Sequence, residues 1–161
     1  MFASTDGKYQ VLLPDTVFTK MLDTSHGCGN TETGGIIVGH YNRSHNCAMV
    51  TDITQAPEDS TSGGTWFHRG ISGLQNMIGH IWSSGNRRYY LGEWHYHPGS
   101  DTLPSPTDID TMRKIARSER YKCPEPVAVV VSGNLAVEWG VSVWVFPKNC
   151  DPAQLVLQDT F

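Results

Sequence analysis

Residues 89–108, YYLGEWHYHPGSDTLPSPTD, constrain this chain more than any other stretch. Residues 89–97 are mostly aromatic or apolar and read as a strand. Residues 98–104 hold two prolines and a glycine and read as a loop. Ser105 and Pro106 then open a helix. Serine caps a first turn, and proline suits the first helical position because no amide donor is needed there. That helix is predicted to run to about Arg117. Any fold for this chain must accommodate a strand, a seven-residue loop and a capped helix in that order.

Short strand-like runs and helical spacings alternate through the rest of the sequence. Residues 9–13 read as a first strand. Pro14 suits the start of a helix along which Val17, Phe18, Met21 and Leu22 recur, until Gly27 or Gly29 stops it. Residues 33–41 and 47–54 are predicted to form a hairpin with its turn at 42–46. Residues 55–65, QAPEDSTSGGT, read as a polar, Gly-rich loop. Phe67, Ile71, Leu74, Met77, Ile78, Ile81 and Trp82 then recur at helical spacing, predicting an amphipathic helix over about 70–84. Residues 127–131 and 135–146 read as two further strands, with Ser132, Gly133 and Asn134 as the turn between them. Strands and helices are interspersed, so the expected class is α/β or α+β with a mixed sheet. The 161 residues make one domain, 1–161.

Composition removes several function classes. The chain carries 12 basic and 16 acidic residues, a net charge of −4, and no basic cluster larger than Arg87-Arg88. A protein that tracks nucleic-acid phosphates needs a concentrated basic stripe, so no nucleic-acid partner is expected. The longest apolar run, 127–131, is far too short to cross a bilayer, so no membrane partner is expected. The N-terminal MFASTDGKYQ lacks a basic-then-apolar signal pattern, which predicts a cytoplasmic protein. Cys28, Cys47, Cys123 and Cys150 form no C-x-x-C pair and are expected to be reduced thiols, not zinc ligands.

The candidate site lies within residues 89–108. Alternate side chains of a strand share a face, so His95 and His97 point the same way. Asp108, in the first turn of the following helix, can swing back toward them. Two imidazoles, one carboxylate and an open fourth position are the donor set of a catalytic zinc site rather than a structural one. Each half has a plainer alternative. An H-x-H pair is more often solvent-facing or core filler, and Ser105-x-x-Asp108 alone is an ordinary helix cap. Strand alternation also puts Glu93 on the same side as His95, which nominates Glu93 as the proton carrier. His26, His40, His45, His68 and His80 fall in no ligand pattern, and surface or helix-packing roles are expected for each; contact of His68 or Arg69, which follow the Gly-rich loop, with a substrate is the minor alternative. Trp94 and Tyr96 are predicted to pack the opposite face of the sheet.

The combined pattern H-x-H-x7-S-x-x-D, matched without a gap, resembles that of the JAMM (MPN+) metalloproteases. Glu32-Thr-Gly-Gly-Ile-Ile-Val-Gly resembles the family's upstream glutamate and strand, and the similarity runs from about residue 9 to 146. The resemblance implies a JAMM/MPN domain, a mixed sheet flanked by helices in a cytidine-deaminase-like fold. It implies one zinc per chain on His95, His97 and Asp108, with a water in the fourth position. It also implies that Glu32 carries the proton between that water and the leaving amine, and that Ser105 donates a hydrogen bond to the oxyanion. Glu93 is then a partner of a ligand histidine or a contact to substrate. Zinc lowers the pKa of bound water to about 7 and polarises a carbonyl. A fixed donor at the oxyanion is worth about 3 kcal/mol.

Members of the family remove ubiquitin or ubiquitin-like proteins from lysine side chains, and some bacterial relatives process small sulfur-carrier proteins. The wording Gly-Glu-Trp-His-Tyr-His-Pro-Gly is similar to the compact bacterial branch found in antiphage operons. That similarity implies a deconjugating isopeptidase whose partner is a ubiquitin-like protein or a conjugated target such as a cyclic-nucleotide synthase. Bacterial ubiquitin-activating and ubiquitin-conjugating-like enzymes would act in the same pathway. Maturation of a ubiquitin-like precursor is the alternative within the family. An inactive MPN scaffold has usually lost a motif residue, and all five are present here. A nucleobase deaminase needs H-x-E and P-C-x-x-C elements, which this sequence lacks.

Overall fold

Alternating apolar residues build the sheet that carries the candidate site. The structure, a computed structural model, describes residues 1–85, 87–99, 101–134 and 137–158. In β8 (Val127–Asn134), Val127, Val129 and Val131 pack on one face and Ala128 on the other. The other strands are β1 (Phe2–Ala3), β2 (Gln10–Leu12), β3 (Thr33–Tyr41), β4 (Cys47–Ile53), β7 (Tyr89–Pro98), β9 (Val137–Val145) and β10 (Ala153–Leu157). They close into a barrel in the order β1, β10, β9, β8, β7, β3, β4, β2. The pairs β2–β4 and β7–β8 are parallel and the rest antiparallel, so the sheet is mixed as expected. The terminal strands β1 and β10, which pair with each other, have no counterpart in the sequence reading.

Three helices pack on this sheet. On α1 (Asp15–Cys28), Val17 and Met21 pack with Trp94 and Tyr96. The opposite face carries Ile36, Val38 and Tyr90 under α3 (Pro106–Arg117), with Leu74, Met77, Ile78 and Ile81 of α2 (Leu74–Ser83) against the same cluster. Asp108, Met112, Ile115 and Ala116 form the inward stripe of α3. Burying Met112 and Ile115 contributes about 1.5–3 kcal/mol each. No helix among the described residues is long and apolar enough to cross a membrane.

The helix expected over 70–84 is shorter at its start. Phe67 lies in β6 (Phe67–His68), which pairs with β5 (Thr61–Ser62) in a small hairpin inside what read as an open loop. The amides of Ile71 and Ser72 donate to the Asp59 carboxylate, which holds this backbone outside the helix until Leu74. Ser132 and Gly133, expected in a turn, continue β8, because Ser132 pairs with Gly140 of β9. Residues 135 and 136, which connect the two strands, lie outside the described residues.

One irregularity in β7 decides which side chains face the site. Opposite β3, Ile37 pairs with Gly92 and Val38 with Tyr90, so β7 carries an extra residue there. The bulge places Tyr90 and Glu93 on one face although they are three apart, and Leu91, Trp94 and Tyr96 on the other. Gly92 has φ 153°, and a Cβ at that position would run into the Val127 carbonyl.

Candidate active site

His95 and His97 leave β7 on the face covered by α3, as strand alternation predicts. Ser105, eight residues after His97, caps α3 with its side chain. Between the two, the chain is held by β9, where the Ser142 hydroxyl donates to the Thr102 carbonyl at 2.5 Å. The Asp108 amide donates to Ser105 Oγ at 3.2 Å and the Ser105 amide donates to Asp108 Oδ2 at 2.7 Å. This capping box turns the Asp108 carboxylate toward the strand. Its Oδ1 lies 2.8 Å from His95 Nδ1 and its Oδ2 lies 3.5 Å from His97 Nε2.

One donor atom from each of His95, His97 and Asp108 lies within 4.8 Å of the other two. The other histidines do not join this cluster; His68 instead packs its ring 5.4 Å from that of Trp66. Burial works against the Asp108 carboxylate, yet hydrogen bonds from His95 and His97 hold its carboxyl far below the usual range. Burial likewise opposes a charged His95, but Asp108 and Glu93 push its pKa up to about 9. The pocket therefore favours positive charge between these groups. A cation could take the place of the His95 proton, and the two-imidazole, one-carboxylate donor set fits a divalent transition metal.

Glu32 precedes β3 and is 9% exposed. Its amide donates to the Gly63 carbonyl at 2.9 Å, which ties it to the β5–β6 hairpin. Burial raises its carboxyl above the ordinary range; His97 and His95 oppose this and Asp108 adds to it. Glu32 is thus close enough to His95, His97 and Asp108 for their charges to act on it. A carboxyl more basic than usual suits a group that accepts and returns a proton.

Glu93 is also beside His95, as alternation predicts, but it is engaged differently. Its Oε1 accepts from Arg69 Nε at 2.9 Å, from Arg69 Nη2 at 2.7 Å and from the Tyr90 hydroxyl at 3.3 Å. Its Oε2 lies 3.7 Å from His95 Nε2. Burial pushes the Glu93 carboxyl up, but His95 and Arg69 outweigh it and bring it below the ordinary range. A less basic carboxylate with one oxygen filled by Arg69 and Tyr90 is less suited than Glu32 to carry a proton.

The sequence reading did not anticipate that Arg69 and Tyr121 approach Glu93. The Arg69 side chain is only 8% exposed, which disfavours the alternative of a substrate contact, and its Nη2 donates to the Tyr121 hydroxyl at 3.0 Å. The available signal was an arginine near a buried acidic residue, but sequence spacing alone does not reveal that pair. The cysteines are free, with Cys47 and Cys123 buried.

Residues 14–145 match a family described as prokaryotic homologues of the JAB domain. The chain is 35% identical to a "CD-NTase/cGAS isopeptidase" of Enterobacter hormaechei, over 96% of this chain and 84% of that protein. It is 28% identical to a "Probable metalloprotease y4qB" of Sinorhizobium fredii, over 84% of this chain and 82% of that protein. Its fold is similar to the solution structure of protein DSY2949 from Desulfitobacterium hafniense, with a TM-score of 0.61 at 15% identity, covering 90% of this chain and 89% of the other.

Proposed function

The chain belongs to the prokaryotic homologues of the JAB domain, and from that membership we propose that it is a zinc-dependent isopeptidase. Hydrolysis itself follows from the family and from relatives named as an isopeptidase and a metalloprotease. The observation that carries the zinc reading is the convergence of His95, His97 and Asp108 donor atoms within 4.8 Å.

His95, His97 and Asp108 would hold one zinc ion. Bound there, zinc supplies Lewis acidity toward the scissile carbonyl and lowers the pKa of a water. Glu32 takes the proton of the attacking water and returns it to the leaving amine, a role that its raised carboxyl suits. Ser105 Oγ already accepts from the Asp108 amide, so its hydroxyl proton is free to be donated to the oxyanion. The capping box keeps Asp108 and Ser105 in register while this happens.

The substrate is an amide bond between the C-terminus of a ubiquitin-like protein and a lysine of a target, with a CD-NTase-class cyclic-nucleotide synthase as the leading target. The name of the Enterobacter relative supports this class over precursor maturation. Such an activity fits an antiphage pathway with ubiquitin-activating and ubiquitin-conjugating-like enzymes. The test presents the purified chain with a synthase carrying such a protein on a lysine, and in parallel with the same protein extended as a linear precursor. Chelator-sensitive release of free synthase is expected. Processing of the linear precursor alone would replace deconjugation with maturation, and no cleavage of either would contradict the reading.

A further inference from the structure

We propose that Arg69 is a positioning residue for the metal site, acting through Glu93 on His95. The inference rests on His95 being a metal ligand, as argued above. Arg69 follows β6, and its side chain is 8% exposed while that of Glu93 is 3% exposed. A buried guanidinium and carboxylate persist only when well paired, because each alone is costly to desolvate. Here the pairing has a direction. Arg69 Nε and Nη2 both donate to Glu93 Oε1, and the Tyr90 hydroxyl approaches the same oxygen. Oε1 is therefore filled, and Oε2 is the oxygen left to face His95 Nε2, at 3.7 Å. The other ring nitrogen of His95 faces Asp108.

A ligand histidine is aimed by the acceptor that holds its second nitrogen, and such partners affect metal affinity about 10–100-fold. Arg69 fixes Glu93, the carboxylate facing that nitrogen at 3.7 Å. It is itself pinned at both ends. Its Nη1 donates to the Gly70 carbonyl at 2.7 Å and its Nη2 to the Tyr121 hydroxyl at 3.0 Å. The backbone just after it is held by the Ser60 hydroxyl, which accepts from the Gly70 amide, and by Asp59, which accepts from Ile71 and Ser72. Residues 59–72 thus reach His95 through the Arg69 guanidinium and Glu93, and also through the Phe67 ring, which meets the His95 ring edge-on at 5.4 Å. Arg69 also keeps Glu93 Oε1 occupied, so that Oε2 is the oxygen presented to His95.

The test measures cobalt(II) affinity and the visible spectrum of the cobalt-loaded chain, neither of which requires substrate. Arg69→Met is expected to weaken cobalt binding roughly 10–100-fold and to alter the spectrum, because the His95 ring is no longer held. Arg69→Lys retains the charge but lacks the two-nitrogen fork, and is expected to fall between Arg69→Met and the parent. In a Glu93→Gln background, adding Arg69→Met is expected to change affinity less than about twofold, since a residue acting through Glu93 has nothing left to act on. That double variant also removes both buried charges and covers the case in which Arg69→Met alone fails to fold. An equal loss from Arg69→Met with and without Glu93→Gln would overturn the inference, as would parental affinity and spectrum in Arg69→Met. Cobalt uptake by the parent in those experiments keeps the metal reading intact; no uptake by the parent would contradict that reading first, and this inference with it.

Discussion

Ser105 and Asp108 hydrogen-bond each other twice, amide to side chain in both directions, at 3.2 and 2.7 Å. The ordinary helix cap and the candidate catalytic pair are therefore one object. The cap fixes Asp108 Oδ2, which leaves Oδ1 aimed at His95.

This coupling predicts that Ser105→Ala has two separable effects. Loss of the cap costs about 1 kcal/mol of stability, whereas glycine at an N-cap costs only a few tenths. Loss of the hydroxyl donor lowers turnover about 100–1000-fold. Ser105→Gly should then keep nearly all the stability and lose as much turnover as Ser105→Ala, read by denaturant titration beside kinetics. A Ser105→Gly variant with parental turnover would remove the hydroxyl from the mechanism.

The two glutamates should separate in the same way. Glu32→Gln is expected to bind metal normally and lose turnover by about three orders of magnitude or more, because an amide cannot accept the proton. Glu93→Gln is expected to lose about 10–100-fold, with weakened metal binding. Metal analysis and kinetics of both variants check this, and the reverse order would assign the base to Glu93.

Gly63 and Gly64 are not equivalent. The sequence places both in a polar, Gly-rich loop over 55–65. The β5–β6 hairpin is already formed, closed by the Gly63 amide donating to the Trp66 carbonyl. A Cβ on Gly63 would strike the Trp66 indole, whereas one on Gly64 would sit 3.5 Å from the Asn30 carbonyl, in ordinary contact. Gly63→Val should displace the carbonyl that holds the Glu32 amide and lower kcat by up to about 100-fold. Gly64→Val should stay within about twofold of the parent, since a surface substitution without a clash changes little. Kinetics of the two single variants read the difference.

The site was more legible than its surroundings for a physical reason. His95, His97, Ser105 and Asp108 sit on one strand and the next helix start, so periodicity and capping rules suffice to bring them together. Glu32 lies 63 positions before His95, and only resemblance to a family pointed to it. The Arg69–Glu93 pair and the Gly63–Glu32 bond join residues 24 and 31 apart through tertiary packing, which no local rule encodes. The bulge at Gly92 left no mark in the alternation beyond an isolated glycine in a strand. The short strands β1 and β10 depend on each other, with two paired positions, and too few residues carry the pattern.

Proton linkage gives a pH signature. In the metal-free chain the His95 pKa is pushed up to about 9 by Asp108 and Glu93 against its burial. The folded-state value lies above the unfolded one, about 6.5. The associated stability is thus fully present below about pH 6.5 and is lost as pH rises through about 9. The melting temperature of chelator-treated protein should fall across that window. Ligation requires the neutral ring, so the apparent metal affinity should rise roughly tenfold per pH unit between about pH 6.5 and 8. An affinity independent of pH over that range would mean that His95 loses no proton on binding.

The central claim is tested most directly by the metal content of the purified chain. Elemental analysis should find about one zinc per chain. His97→Ala should fall to a small fraction of that while retaining the parental far-ultraviolet circular dichroism. No zinc in the parent even after titration with it, or equal zinc in His97→Ala, would contradict the account.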